Sequence, residues 1–400
     1  MITRPLLECV FSAANIERWN DHPHPEAFTE LGKQAHKMVI AWVLAKREED
    51  GGRFVNWNAL IEGGLFEFLH RVVVTDIRPP LFHKLMQERE TREQLNGWVY
   101  DHLKRDLTSL SAAFAARFHD YHAHMENSNE RRILKSAHYL ATKWEFDFIL
   151  HWSAGMYGIE QTQKEIESQL EEADVALARD ILQNPEATKL WGFISLVGQL
   201  SFQKRWAQTP RIPKTSVLGH LLFVAIVAYL VSIEIGAGPR RCKNNFFGGL
   251  FHDLPEVLTR DIVSPVKASV EGLDKLIHQY ERSAMDERIF PLLPEAWHDE
   301  LRYYTEEEFA NKTWQPDHID PVQRHEGDIP RELDRDVYNP MDGHMIEICD
   351  KLAAYIEASA SIRTGVHPQS LEDGKRRLYE RFSRTLVCDY PIGQLFDLFW

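Results

Sequence analysis

The sequence predicts an all-α fold, on three observations. Apolar residues recur at helical spacing over 28–48, 134–150, 161–182, 218–233 and 345–361. Sustained apolar/polar alternation, the mark of a half-buried strand, is absent. The chain also repeats a helical segment at long range, which points to duplicated helical units rather than one irregular domain.

The elements follow in order. His36 opens the first apolar helix, whose run is Met38-Val39-Ile40-Ala41-Trp42-Val43-Leu44. Val72-Val73-Val74 is β-branched, yet both flanks read as helix, so this stretch is predicted helical. Asn184-Pro185 ends the pattern over 161–182. His220 opens a second apolar helix; its run over 221–233 is shorter than a bilayer span and reads as a buried core helix.

The repeat is explicit. Residues 63–81 lie without gaps on 248–266, at a constant offset of 185. Arg18-Trp19 precedes His36 as Arg205-Trp206 precedes His220, and Ala137-His138-Tyr139-Leu140-Ala141 answers Cys349-Asp350-Lys351-Leu352-Ala353. Two copies of one helical domain are therefore expected, over 1–185 and 186–400, joined near 182–192. An insertion over 297–342 interrupts the second copy. Rich in charge and carrying Pro321, Pro330 and Pro340, it is expected to be mostly solvated loop, placed where it could close over a substrate.

Composition limits the partners. With 46 Lys+Arg against 60 Asp+Glu, the net charge is -14, which disfavours duplex nucleic acid but leaves a small anionic substrate open. Cys9, Cys242, Cys349 and Cys388 form no CxxC and fit a reducing cytoplasm. The start of the chain reaches Glu8 before any long apolar run, so no secretory segment is expected. A cytoplasmic protein without a membrane partner follows.

Chemistry concentrates in the second copy. His220, the pair His252-Asp253, and Asp350 make a mixed nitrogen and oxygen set suited to one divalent first-row metal such as Mn or Co. Such a metal, with positions left open, acidifies bound water and polarises a phosphoryl oxygen. Hydrolysis of a phosphate ester is the expected reaction.

This His…His-Asp…Asp order on successive helices resembles the HD-domain metal-dependent phosphohydrolases. Within them, His252-Asp253-Leu254-Pro255-Glu256-Val257-Leu258-Thr259-Arg260-Asp261-Ile262-Val263-Ser264-Pro265-Val266-Lys267, with Arg205-Trp206 upstream, is similar to the bacterial 5′-deoxynucleotidases. The resemblance implies two tandem HD-type domains packed as a pseudo-dimer, because enzymes of this kind are commonly dimers. It implies His220, His252, Asp253 and Asp350 as metal ligands, and Glu256 beside the metal-bound water as acid/base, alongside Asp253. It further implies Arg205 on phosphate, Trp206 and Asp261 near the sugar, and Lys267 as a second phosphate contact. The substrate implied is a deoxynucleoside monophosphate. A triphosphate, cyclic or modified nucleotide is the alternative, and a nucleotide sensor with a regulatory first half is the rival from another class.

The first copy has lost this set. Glu67 stands at the position of His252, Phe68 at Asp253, Arg71 at Glu256 and His138 at Asp350, leaving His36 as the one expected survivor. Arg18-Trp19 and Asp76 are retained. A packing role, or a nucleotide site without hydrolysis, is expected for it.

Overall fold

The computed structural model describes the chain apart from residues 25, 76, 125–126, 207, 261–271 and 320. After α1 (Arg4–Ser12), strands β1 (Glu17–Arg18) and β2 (Phe28–Thr29) pair antiparallel and deliver the chain into α2 (Glu30–Asp50). Phe28, expected inside that helix, is instead the extended residue leading into its cap. Thr29 Oγ1 accepts from Gly32 N at 3.2 Å, satisfying one of the orphan donors of the first turn. Helices α3 (Trp57–Val74), α4 (Pro79–Gln87), α5 (Arg89–Leu110), α6 (Ala112–Ala123) and α7 (Asn129–Trp152) complete this half. Val72-Val73-Val74 closes α3, as its flanks predict.

The helix expected over 161–182 is two. Its first part, α8 (Ile159–Gln169), is separated from α9 (Ala176–Gln183) by a turn in which Glu171, Glu172 and Asp174 face solvent. The turn re-phases the chain so that Val175, Ala178 and Ile181 are all buried. Next, α10 (Thr188–Gly198) packs on the first half: His36 Nε2 lies 2.9 Å from Ile194 O.

In the second half, a bridge between Lys204 and Ser216 repeats the β1/β2 entry. Ser216 Oγ then accepts from Gly219 N at 3.1 Å and starts α11 (Val217–Glu234). By length and composition α11 could cross a membrane, but it is 89% buried within the fold, the position expected of a helix apolar all round. The chain continues through α12 (Pro239–Phe251), α13 (Glu256–Thr259), α14 (Leu273–Ala284) and α15 (His298–Thr305). A small antiparallel sheet of β3 (Asn311–Trp314), β4 (Val322–His325) and β5 (Met341–Asp342), in the order β4-β3-β5, precedes α16 (Gly343–Arg363), α17 (Gln369–Phe382) and α18 (Gln394–Asp397). The fold is all-α with these short strands as accessories.

The two halves share backbone features at positions the sequence pairs. Trp19 and Trp206 have φ of 58° and 56°, and Thr75 and Arg260 have 61° and 68°. Non-glycine residues in the left-handed region are strained by about 1–3 kcal/mol, so matching strain at matching repeat positions is informative. One apolar core runs through both halves. At its centre α2 meets α11, where a Cβ on Gly219 would lie 3.4 Å from Leu31 and one on Gly32 3.6 Å from Ser216 Oγ. Edge-to-face pairs extend the contact: Trp42 with Phe251 at 5.3 Å, and Trp57 with Phe247 at 5.4 Å.

The insertion is folded, not a mostly solvated loop. Trp297, Leu301 and Tyr304 are buried, and Trp42 and Trp297 pack at 5.6 Å. Glu300 accepts from Lys46 of α2 at 2.8 Å and Lys243 of α12 at 2.7 Å, tying the halves together. Its prolines and charges suggest exposure, but helical and strand pairings satisfy them locally while the aromatics enter the core.

Candidate metal centre

Local folding converges four side chains. The Ser216 cap puts His220 in the first turn of α11, 1% exposed. Gly249 lets α12 approach α11 closely, since a Cβ there would lie 2.9 Å from Ala225 Cα. That approach brings His252, at the end of α12, opposite His220, with ring centroids 5.7 Å apart. His252 Nδ1 lies 2.9 Å from Gly249 O, which leaves Nε2 to face the centre.

Asp350 arrives from α16, whose start is locked to α12. Arg241 grips Asp342 with two bonds of 2.7 and 2.6 Å, and Asn245 donates to the same carboxylate at 2.8 Å. The Asp350 Oδ1 atom then lies 2.9 Å from His220 Nε2, and Asp253 Oδ2 lies 3.2 Å from His252 Nε2. Ligand atoms of His220, His252 and Asp253 all fall within 4.8 Å of one another.

These distances lack hydrogen-bond geometry: His220 Nε2 and His252 Nε2 are both buried with no hydrogen bond. Such atoms are costly unless something else satisfies them. His220, His252 and Asp253, with Asp350 against His220, make a nitrogen and oxygen donor set that fits a divalent first-row cation. The C-terminal end of α12 adds a favourable dipole.

Protons compete for the same atoms. Burial opposes a charged His252, but Asp253 and Asp350 outweigh burial and raise its pKa to about 9. At His220, burial and Arg205 prevail over Asp350 and push it down. Burial would keep Asp350 protonated, but Lys351 and His220 hold it well below the usual carboxylate range.

Around the centre, Arg205 lies 3.7 Å from each of Asp253, Asp350 and Glu357. Trp206 Nε1 donates to Glu357 Oε2 at 2.9 Å, and its far edge lies 3.6 Å from where a Gly374 Cβ would be. Glu256 begins α13, 6% exposed. The sites inferred at Asp261, Lys267 and Asp76 lie outside the described residues.

Three residues here escaped the sequence reading. Glu357 orients Arg205 and Trp206; its counterpart Glu145 does the same in the first half, and that matched pair was the available signal. Phe309 of the insertion packs 5.9 Å from the His252 ring, and Lys351 bonds Asp350 at 2.7 Å while lying 5.6 Å from the Phe309 ring. No sequence signal marks Phe309, because the insertion reaches the site through tertiary packing.

Glu357 yields a pH prediction. Burial raises its pKa, but Arg211, Arg205 and His220 overcome burial and hold it at about 2, against 4.5 normally. A depressed carboxylate stabilises the fold above its unfolded pKa and loses that contribution as pH falls through its folded value. Acid unfolding should therefore steepen between about pH 4.5 and 2, and Glu357→Gln should flatten that window in a stability-against-pH series.

The first half corrects one expectation. Counted from the caps Thr29 and Ser216, the residue equivalent to His220 is Lys33, not His36. Lys33 Nζ lies 2.6 Å from His138 Nδ1, repeating the His220–Asp350 pair with neither ligand kept. His36 lies one turn further on, buried against Trp144 at 4.9 Å. The histidine match misled because identity outweighed register.

A family model described as HD domain matches residues 197–378. Those residues form an HD domain. A 5′-deoxynucleotidase of Vibrio atlanticus (strain LGP32) is 23% identical over 191 residues, 47% of this chain and 82% of that protein. One of Pasteurella multocida (strain Pm70) is 22% identical over 212 residues, 50% of this chain and 88% of that protein. One of Vibrio vulnificus (strain YJ016) is 27% identical over 143 residues, 32% of this chain and 69% of that protein. No solved structure matches significantly.

Proposed function

We propose that the HD domain removes the 5′-phosphate of deoxynucleoside monophosphates, using one divalent first-row cation such as Mn or Co, held by His220, His252, Asp253 and Asp350. The convergence of His220, His252 and Asp253, with Asp350 2.9 Å from His220 Nε2 and two buried imidazole nitrogens lacking hydrogen bonds, carries the reading. When bound, the cation supplies Lewis acidity, polarising a phosphoryl oxygen and acidifying water.

The chain's own groups do the rest. Arg205 presents a planar fork to the phosphate and holds the charge that develops on its oxygens. Glu256 moves the proton, taking it from water or giving it to the leaving 5′-oxygen. Asp253 orients His252 as well as binding the cation. Trp206, fixed by Glu357, borders the sugar and disfavours a 2′-hydroxyl. The halves over 1–185 and 186–400 act as a pseudo-dimer, in a monomeric or homodimeric cytoplasmic enzyme.

A second reading keeps the reaction and changes the nucleotide. Phe309 beside His252 favours it, because an ordered insertion at the centre reshapes the substrate side. Phosphate release from a panel of deoxy- and ribonucleoside monophosphates, triphosphates and cyclic nucleotides, with Mn or Co added, separates the two. Orthophosphate and a deoxynucleoside as the preferred products support the first. Turnover confined to the other nucleotides supports the second, and none with any nucleotide removes both.

A further inference from the structure

The lost metal position of the first half is filled with fixed cations. Lys33, at the place of His220, is 2% exposed, and among the described residues no carboxylate lies within ion-pair distance of its Nζ. The His138 imidazole Nδ1 lies 2.6 Å from it. Arg71 replaces Glu256, and lies 3.8 Å from Glu30. Arg18, the counterpart of Arg205, bonds Glu145 at 2.8 Å and Glu30 at 3.0 Å. Lys37 and Tyr121 both bond Glu67. Among the described residues the cluster has four basic side chains, Arg18, Lys33, Lys37 and Arg71, against three acids, Glu30, Glu67 and Glu145. The corresponding place in the HD domain sets Arg205, Arg211 and Lys351 against Asp253, Glu256, Asp350 and Glu357. Electrostatic sign has reversed while the frame is kept.

The site opens to solvent. His138 is exposed, the Glu67 side chain is 35% exposed, and Arg71 and Arg18 are 19% and 13% exposed. Trp19 holds the position of Trp206, with the same φ and the same bond to a glutamate. A buried ammonium without a carboxylate is expensive unless an anion or a change of protonation relieves it. Burial, Arg18 and Lys37 push Lys33 well below its ordinary pKa against the opposing pull of Glu30 and Glu145, so an anion beside it would be needed to hold the ammonium form.

We infer that this partly exposed cluster binds a phosphate group without hydrolysing it, the Lys33 ammonium taking the role that the cation has in the HD domain. Arg71 closes the other side of the phosphate and Trp19 borders whatever carries it. Retention of Arg18, Trp19 and Glu145 keeps the substrate side of a site whose chemical centre is gone. Only the choice of a phosphate-bearing ligand rests on the reading of the HD domain; the cationic cluster stands without it.

The test uses the full chain carrying Asp253→Ala, stripped with a chelator, titrated calorimetrically with inorganic phosphate and with a deoxynucleoside monophosphate. One site of millimolar or better affinity is expected, weakened at least about tenfold by Lys33→Met and by Arg71→Gln. Urea unfolding verifies both variants, and Arg71→Gln, near the mouth, serves should Lys33→Met fail to fold. Absence of binding, or binding that survives Arg71→Gln and a folded Lys33→Met, overturns the inference and makes Lys33 a structural filler. Hydrolysis is no part of the readout, so failure of the nucleotidase reading leaves this result intact.

Discussion

Asp253→Ala is expected to lose the divalent cation and to lower phosphate release by about a thousand-fold or more. The size follows from the several kcal/mol that a Lewis-acid cation contributes to phosphoryl transfer, at tenfold per 1.36 kcal/mol. Asp253 lies 3.2 Å from His252 Nε2 and 3.7 Å from Arg205, so its removal costs a ligand and loosens the neighbouring contacts. Elemental analysis of the purified variant and an orthophosphate assay read the two effects separately. Retained metal with full turnover would remove Asp253 from the centre.

Glu256→Gln should behave differently. It keeps size and polarity and is not among the four ligands, so metal content should remain at the wild-type level while turnover falls by about a hundred- to ten-thousand-fold, the range of a lost general acid/base. The pH profile distinguishes this from a packing defect: the variant should lose one limb of the bell while the other stays in place. A uniform fall at every pH would assign Glu256 to structure. Together the two variants separate holding the cation from moving the proton.

Much of the site was legible because its residues are adjacent or stand in a repeat. His252-Asp253 is a contiguous pair, and the gapless match of 63–81 to 248–266 located the second copy of its segment. Register within α2 was less legible. His36 looked like the partner of His220, whereas the spacing from Arg18 to Thr29 and from Arg205 to Ser216 selects Lys33. Helix caps set the rotation of a helix about its axis, so the cap decides which side chain faces the site.

Tertiary features were the least legible. Helical periodicity predicted α11 and α16, but not that Arg241 would lock Asp342 and so fix the position of Asp350. The insertion was judged by composition, which averages over residues with opposite fates. Glu307 and Arg324 are exposed on its surface, while Trp297 and Tyr304 complete a core they share with α2 and α12. Burial of that kind depends on distant partners and leaves no local period.

The meeting of α2 with α11 has an evolutionary consequence. Two identical subunits packed across a symmetry axis carry every substitution twice, so a lysine entering one metal position would enter both and silence the assembly. A single chain in which the equivalent helices meet carries each change once. On the proposed pseudo-dimer, one half is free to carry Lys33 where the other carries His220, while the shared interior requires both to stay folded.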